Sequence, residues 1–92
     1  MQLEGVALHR IEVRLARYLL GLCDHAAGGD CDVETMTVAL GMSQGELALL
    51  LGASRPKVNA ALMLLEDQGL VTRAGEKIHC TVDDLRDLAE AE

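Results

Sequence analysis

Between Ser43 and Gly69 the chain starts a helix, stops it, and starts another after a turn of about three residues. Ser43-Gln44-Gly45-Glu46 has the spacing of a capping box. The Ser43 hydroxyl accepts from the amide three residues on, and the Glu46 carboxylate accepts from the Ser43 amide. Leu47-Ala48-Leu49-Leu50-Leu51 extends that helix only as far as Gly52. Ser54 is a second cap, one residue beyond Ala53. Pro56 falls in the first turn that follows, where its missing N–H costs no helical hydrogen bond. The second helix is predicted to run to Gln68 and to end at Gly69, which enters the left-handed region without strain. Leu51-Gly52-Ala53 is therefore the turn of a helix-turn-helix, and so short a turn makes the second helix protrude.

The flanking segments complete a pattern. From Leu3 to Cys23, Leu8, Ile11, Leu15, Leu19 and Leu22 recur in steps of three and four and define one face of an amphipathic helix. Arg10, Arg14 and Arg17 repeat on another face, read as solvated or as a docking surface. This helix is expected to stop before Gly28-Gly29, with a polar stretch reaching to Asp32. Thr35-Met36-Thr37-Val38-Ala39-Leu40 alternates as a half-buried strand does, and Gly41 ends it.

After Gly69, Leu70-Val71-Thr72-Arg73 and Lys77-Ile78-His79-Cys80 form a hairpin around Ala74-Gly75-Glu76. Val71, Ile78 and Cys80 are expected to face inward, and Arg73, Lys77 and His79 outward. Thr81-Val82-Asp83-Asp84 reads as a last helix cap, followed by Leu85, Leu88 and Ala89 on one face. The order is that of a mainly α protein with a small antiparallel β-sheet (α+β), a winged helix-turn-helix. It is read as a single domain over residues 1–92, with the helix-turn-helix at about 43–69, the wing at about 70–80 and the C-terminal helix at about 82–91.

Composition narrows the function classes. Half the residues are apolar and Tyr18 is the only aromatic residue, so the core is aliphatic and disorder is not expected. No apolar run approaches a bilayer span and the N-terminus lacks the pattern of a secretory signal, so a soluble cytoplasmic protein is expected, with no membrane partner. Cys23, Cys31 and Cys80 have neither disulfide nor zinc-ligand spacing; Cys23 and Cys80 are read as small buried hydrophobes and Cys31 as a loop residue. His9, His25 and His79 are far apart and no nucleophile–base pair or phosphate-cradling glycine loop is present. No enzyme, metal site or cofactor is expected.

The formal charge of −7 opposes DNA binding in general, but its distribution does not. Arg10, Arg14 and Arg17 outnumber Glu4 and Glu12 in the first helix. Arg55, Lys57, Arg73 and Lys77 coincide with the second helix of the pair and the hairpin. Acids concentrate between Asp24 and Glu46 and after Thr81. Global acidity weakens long-range steering without preventing local phosphate contact.

The stretch from Ser43 to Cys80 resembles the C-terminal winged-helix domain of the Crp/Fnr (catabolite activator protein-like) transcription regulators. The resemblance is carried by Glu46-Leu47-Ala48, by Leu51-Gly52-Ala53-Ser54-Arg55-Pro56-Lys57-Val58-Asn59 and by Leu65-Glu66-Asp67-Gln68-Gly69-Leu70-Val71. Val13-Arg14-Leu15-Ala16-Arg17-Tyr18-Leu19-Leu20 is similar to the first helix of that domain. The resemblance implies a sequence-specific reader of double-stranded DNA, normally a homodimer on a palindromic site. Such regulators usually also carry a sensor barrel and a dimerisation helix, and neither is read in these 92 residues.

Helical geometry assigns the reading residues. Val58, Ala61, Leu62 and Leu65 cluster on one side and must pack inward. Pro56, Asn59, Ala60, Met63 and Asp67 are displayed opposite, with Arg55 at the exposed N-terminus. Arg55 can contact guanine and Asn59 adenine in a bidentate manner, while Pro56 and Ala60 offer apolar contact to bases. Ser43, Gln44, Ser54 and Lys57 are candidate phosphate contacts near helix N-termini, and Arg73 and Lys77 are candidates on the wing. Ala60 stands where the family commonly has a cation, and Gly45 replaces its usual polar residue. These departures, with the acidic tail, leave open an alternative: a winged-helix module that docks on protein rather than DNA.

Overall fold

The computed structural model describes residues 3–28 and 33–90. Its elements run α1 (Leu3–Ala26), β1 (Thr35–Ala39), α2 (Gln44–Leu51), α3 (Arg55–Asp67), β2 (Val71–Ala74), β3 (Lys77–Thr81) and α4 (Val82–Ala89). This is the expected mainly α architecture with a three-stranded antiparallel sheet, a winged helix-turn-helix. Cys31 and the polar stretch around it lie outside the described residues, as does the side chain of Leu8.

The long helix α1 is the centre of the packing. Ile11, Leu15 and Leu19 are buried as the apolar stripe predicts, Leu22 is half-buried, and Val13, Ala16 and Cys23 are buried beside them. The face is wider than the stripe because α1 packs against α4, α3 and α2. Leu47 and Leu51 of α2, Val58, Leu62 and Leu65 of α3, and Val82 and Leu85 of α4 close this core. Each such fully buried aliphatic side chain contributes ~1.5–3 kcal/mol relative to exposure.

The sheet order is β1-β3-β2. Val38 lies opposite Ile78, and Cys80 opposite both Met36 and Val71, so one row of apolar side chains faces the helices. Gly75 and Glu76 link β2 to β3, and Gly75 has φ 65°, as the first position of a type II′ hairpin turn requires.

Two details differ from the sequence expectation. Arg73 lies opposite the fully buried Ile78, and cross-strand partners share a face. Arg73 therefore lies on the helix side of the sheet with Val71, while Lys77 and His79 lie on the outer side as expected. The period of two along β2 is the reason: Val71 and Arg73 share parity. Thr81 ends β3 at the N-cap of α4, but its side chain makes no cap bond. Its hydroxyl instead donates to the Gly69 carbonyl at 3.2 Å and ties the end of β3 to the loop after α3. Asp83 and Asp84 in the first turn of α4 complement the helix dipole.

Candidate nucleic-acid interface

The corner between α2 and α3 is built from local sequence. The Ser43 hydroxyl accepts from the Glu46 amide at 3.2 Å, and the Glu46 carboxylate accepts from the Ser43 amide at 3.2 Å. At the other end Gly52 turns left-handed with φ 67°, and the Gly52 and Ala53 amides donate back to Leu49 and Ala48. Such paired backward bonds satisfy carbonyls that the helix end would leave open. Ser54 caps α3 by accepting from the Lys57 amide at 3.4 Å, with Pro56 in the first turn. The end of α3 repeats the device: Gly69 has φ 77°, and Gly69 and Leu70 donate to Glu66 and Leu65.

The corner presents α3 as the helical geometry requires. Val58, Ala61, Leu62 and Leu65 are buried. Arg55, Pro56 and Lys57 are exposed, and Asn59 and Ala60 are half-buried. Met63 is 51% exposed, and its sulfur accepts from the Asn59 side-chain amide at 3.6 Å. A Cβ placed on Gly45 would stand 3.7 Å from the Arg55 Cδ, so the arginine stem crosses the first turn of α2 where that turn has no side chain.

Two clefts border this face. One, of about 460 Å³, lies between α1 and the corner and is lined by Arg10, Arg14, Leu49, Ser54 and Lys57. The other, of about 590 Å³, lies between the wing and the start of α2. Ser43, Gln44, Arg73 and Glu76 surround it, with Leu40, Met42 and Leu62 among its apolar lining. At ~100° per residue, Pro56, Asn59, Ala60 and Met63 occupy the arc of α3 between Arg55 and Lys57. The structure thus brings Ser54 and Lys57 together in one cleft and Ser43, Gln44 and Arg73 in the other. Lys77 lies apart from both, on the outer face of the sheet.

Sequence reasoning missed the contacts of four residues. Arg14 does not belong to a simply solvated face: its guanidinium donates to the Leu51 carbonyl at 2.9 Å and closes the C-terminus of α2. Arg17 likewise donates to the Ala89 carbonyl at the end of α4, at 3.2 Å. Arg10, on the same helix, lines the first cleft opposite Lys57. Glu66 pairs with Arg73 through the guanidinium Nε and Nη2, at 2.9 and 2.8 Å. No local signal announces these roles, because each forms only when distant elements dock.

The outline matches known structures. Imidazole-bound CooA, a CO-dependent transcription factor from Carboxydothermus hydrogenoformans, superposes with TM-score 0.71 at 23% identity, over 94% of this chain and 39% of that one. CprK bound to OCPA gives TM-score 0.69 at 22% identity, over 95% of this chain and 41% of that one. Reduced CprK without ligand gives 0.66 at 20% identity, over 85% and 37%. The chain thus spans about two fifths of the length of the proteins it matches. No curated protein sequence matches it. The Crp-like helix-turn-helix domain, a non-enzymatic module of transcription factors, matches residues 13–91, and the chain belongs to that family.

Proposed function

We propose that this chain is the sequence-specific, double-stranded-DNA-binding part of a Crp/Fnr-like transcription regulator acting in the cytoplasm. The observation that supports this most directly is the presentation of α3: its N-terminus projects Arg55 into solvent between two clefts that hold cations and capping hydroxyls. A recognition helix enters the major groove amino end first, with a phosphate strand on each side. Arg55 and Asn59 then read bases, with Pro56 and Ala60 in apolar contact. Ser54 and Lys57, joined by Arg10, take one backbone; Ser43, Gln44 and Arg73 take the other. Lys77 reaches flanking phosphate from the outer face of the wing. A homodimer of such modules would read a palindrome.

Electrophoretic shift on random duplex DNA at low salt, followed by selection from that pool, tests the reading. A shifted complex and an enriched motif support it. One observation favours protein docking instead: Leu49 and Leu50 are 84% and 57% exposed on α2. Folded chain that shifts no duplex at low salt would establish docking as the better account.

A further inference from the structure

The wing is where the charge pattern fits DNA least well. Its tip carries the exposed Glu76, and Lys77 points to the outer face of the sheet. Arg73 is the cation that β2 directs toward the cleft beside Ser43 and Gln44. That guanidinium already has an anionic partner in Glu66, which it meets through two of its nitrogens.

Glu66 is also placed unfavourably for its own helix. It lies in the last turn of α3, which holds no basic residue, where the dipole disfavours negative charge. It follows Asn59 and Leu62 at helical spacing, so it stands on the edge of α3 that borders the wing. A duplex approaching this edge meets a carboxylate, and while Glu66 holds Nε and Nη2 the charge of Arg73 is already offset. The ion pair is about one third exposed on both sides, so it is weak enough to be exchanged.

We propose that Glu66 withholds Arg73 from the DNA backbone and so sets the affinity of the domain below what its cations could deliver. This rests on the DNA-binding reading and adds a residue that acts against it. The two groups compete: a carboxylate and a phosphate seek the same guanidinium, and the phosphate gains less from a cation that the carboxylate already offsets.

The test is a double-substitution cycle on the full chain, with Glu66→Gln, Arg73→Gln and both together. Binding is read by fluorescence anisotropy on a labelled pool of random-sequence duplex, across a salt series. Circular dichroism and thermal melting confirm that each variant is folded. Glu66→Gln should bind about three- to fivefold more tightly than the unsubstituted chain. Its plot of log affinity against log salt should steepen, by at most ~0.9, as Arg73 engages phosphate in a larger share of the complexes. Both effects should vanish in the double variant.

Unchanged or weaker binding by Glu66→Gln overturns the proposal, since the pair would then only brace the wing. A gain that survives in the double variant also overturns it, because simple relief of repulsion would explain that result. Failure of every folded variant to bind, including the unsubstituted chain, removes the DNA-binding reading itself and is distinct from both.

Discussion

The Arg14 guanidinium of α1 donates to the carbonyl of Leu51, the last residue of α2, over 2.9 Å. The cation thus sits where the helix dipole is negative and where a carbonyl would otherwise lack a partner. It also passes 3.6 Å from where a Cβ on Gly52 would lie, so α1 grips the corner that aims α3.

Arg14→Met keeps the aliphatic stem and removes this bond. We expect a loss of ~1 kcal/mol, discounted for solvent access to the site. Arg10→Met, at the neighbouring exposed position, should stay within ~0.5 kcal/mol of the unsubstituted chain. Urea denaturation of both variants checks the contrast, and equal stability of the two would contradict the bracing role of Arg14.

Two glycines of the corner should respond in opposite directions. Gly52 has φ 67°, so Gly52→Ala forces a side chain into the left-handed region at a cost of ~1–2 kcal/mol. Gly45 lies in α2 and is not among the glycines of positive φ. A Cβ there meets Arg55 Cδ at 3.7 Å and the Ser43 hydroxyl at 3.8 Å, both ordinary contacts. Gly45→Ala should therefore stabilise the chain by ~0.5–1 kcal/mol through backbone entropy. Thermal melting gives the sign of each change directly.

Much of this corner is legible in sequence because its determinants are local. Ser43 with Glu46, Gly52, Ser54 with Pro56, and Gly69 each act within a few residues, and the structure places all of them as read. The buried face of α3 follows from its period for the same reason. What escapes is set by docking. Thr81 has the sequence of a cap, yet its hydroxyl goes to Gly69, because β3 ends beside the loop after α3. Arg10, Arg14 and Arg17 look alike along α1, yet Arg14 and Arg17 reach helix ends while Arg10 lines a cleft. Glu12, read only as a charge beside them, is buried against α3 and accepts from the Gln68 side chain at 3.4 Å. Arg73 is a different case: the alternation of β2 already placed it with Val71.

Tyr18 supplies a pH-dependent test. Its hydroxyl donates to the Leu40 carbonyl at 2.9 Å, just beyond β1. Desolvation by burial raises its pKa above the ordinary tyrosine value of 10.0. The folded state thus holds the phenolic proton more tightly than the unfolded chain does. That stability is fully present below the ordinary value and is lost as pH rises through the raised one. Tyr18→Phe should cost ~1 kcal/mol at neutral pH. The gap between the two proteins should narrow above pH ~10. A constant gap in urea melts from neutral to alkaline pH would show that the hydroxyl is not the source.

Base reading and phosphate holding fall to different cations in this account. Arg55 projects from the N-terminus of α3, whereas Arg10 and Lys57 line the cleft beside it, from α1 and α3. A base contact discriminates among sequences by ~1–3 kcal/mol, while a phosphate contact does not. Selection from random duplex with Arg55→Ala should thus yield a motif degenerate at one or two positions. Arg10→Gln and Lys57→Gln should recover the unsubstituted chain's motif but bind it more weakly, and together should flatten the salt dependence by ~0.9 if they share one phosphate. Loss of motif in the cleft variants, with an unaltered motif in Arg55→Ala, would reverse the two roles and move the reading surface from the end of α3 to the cleft.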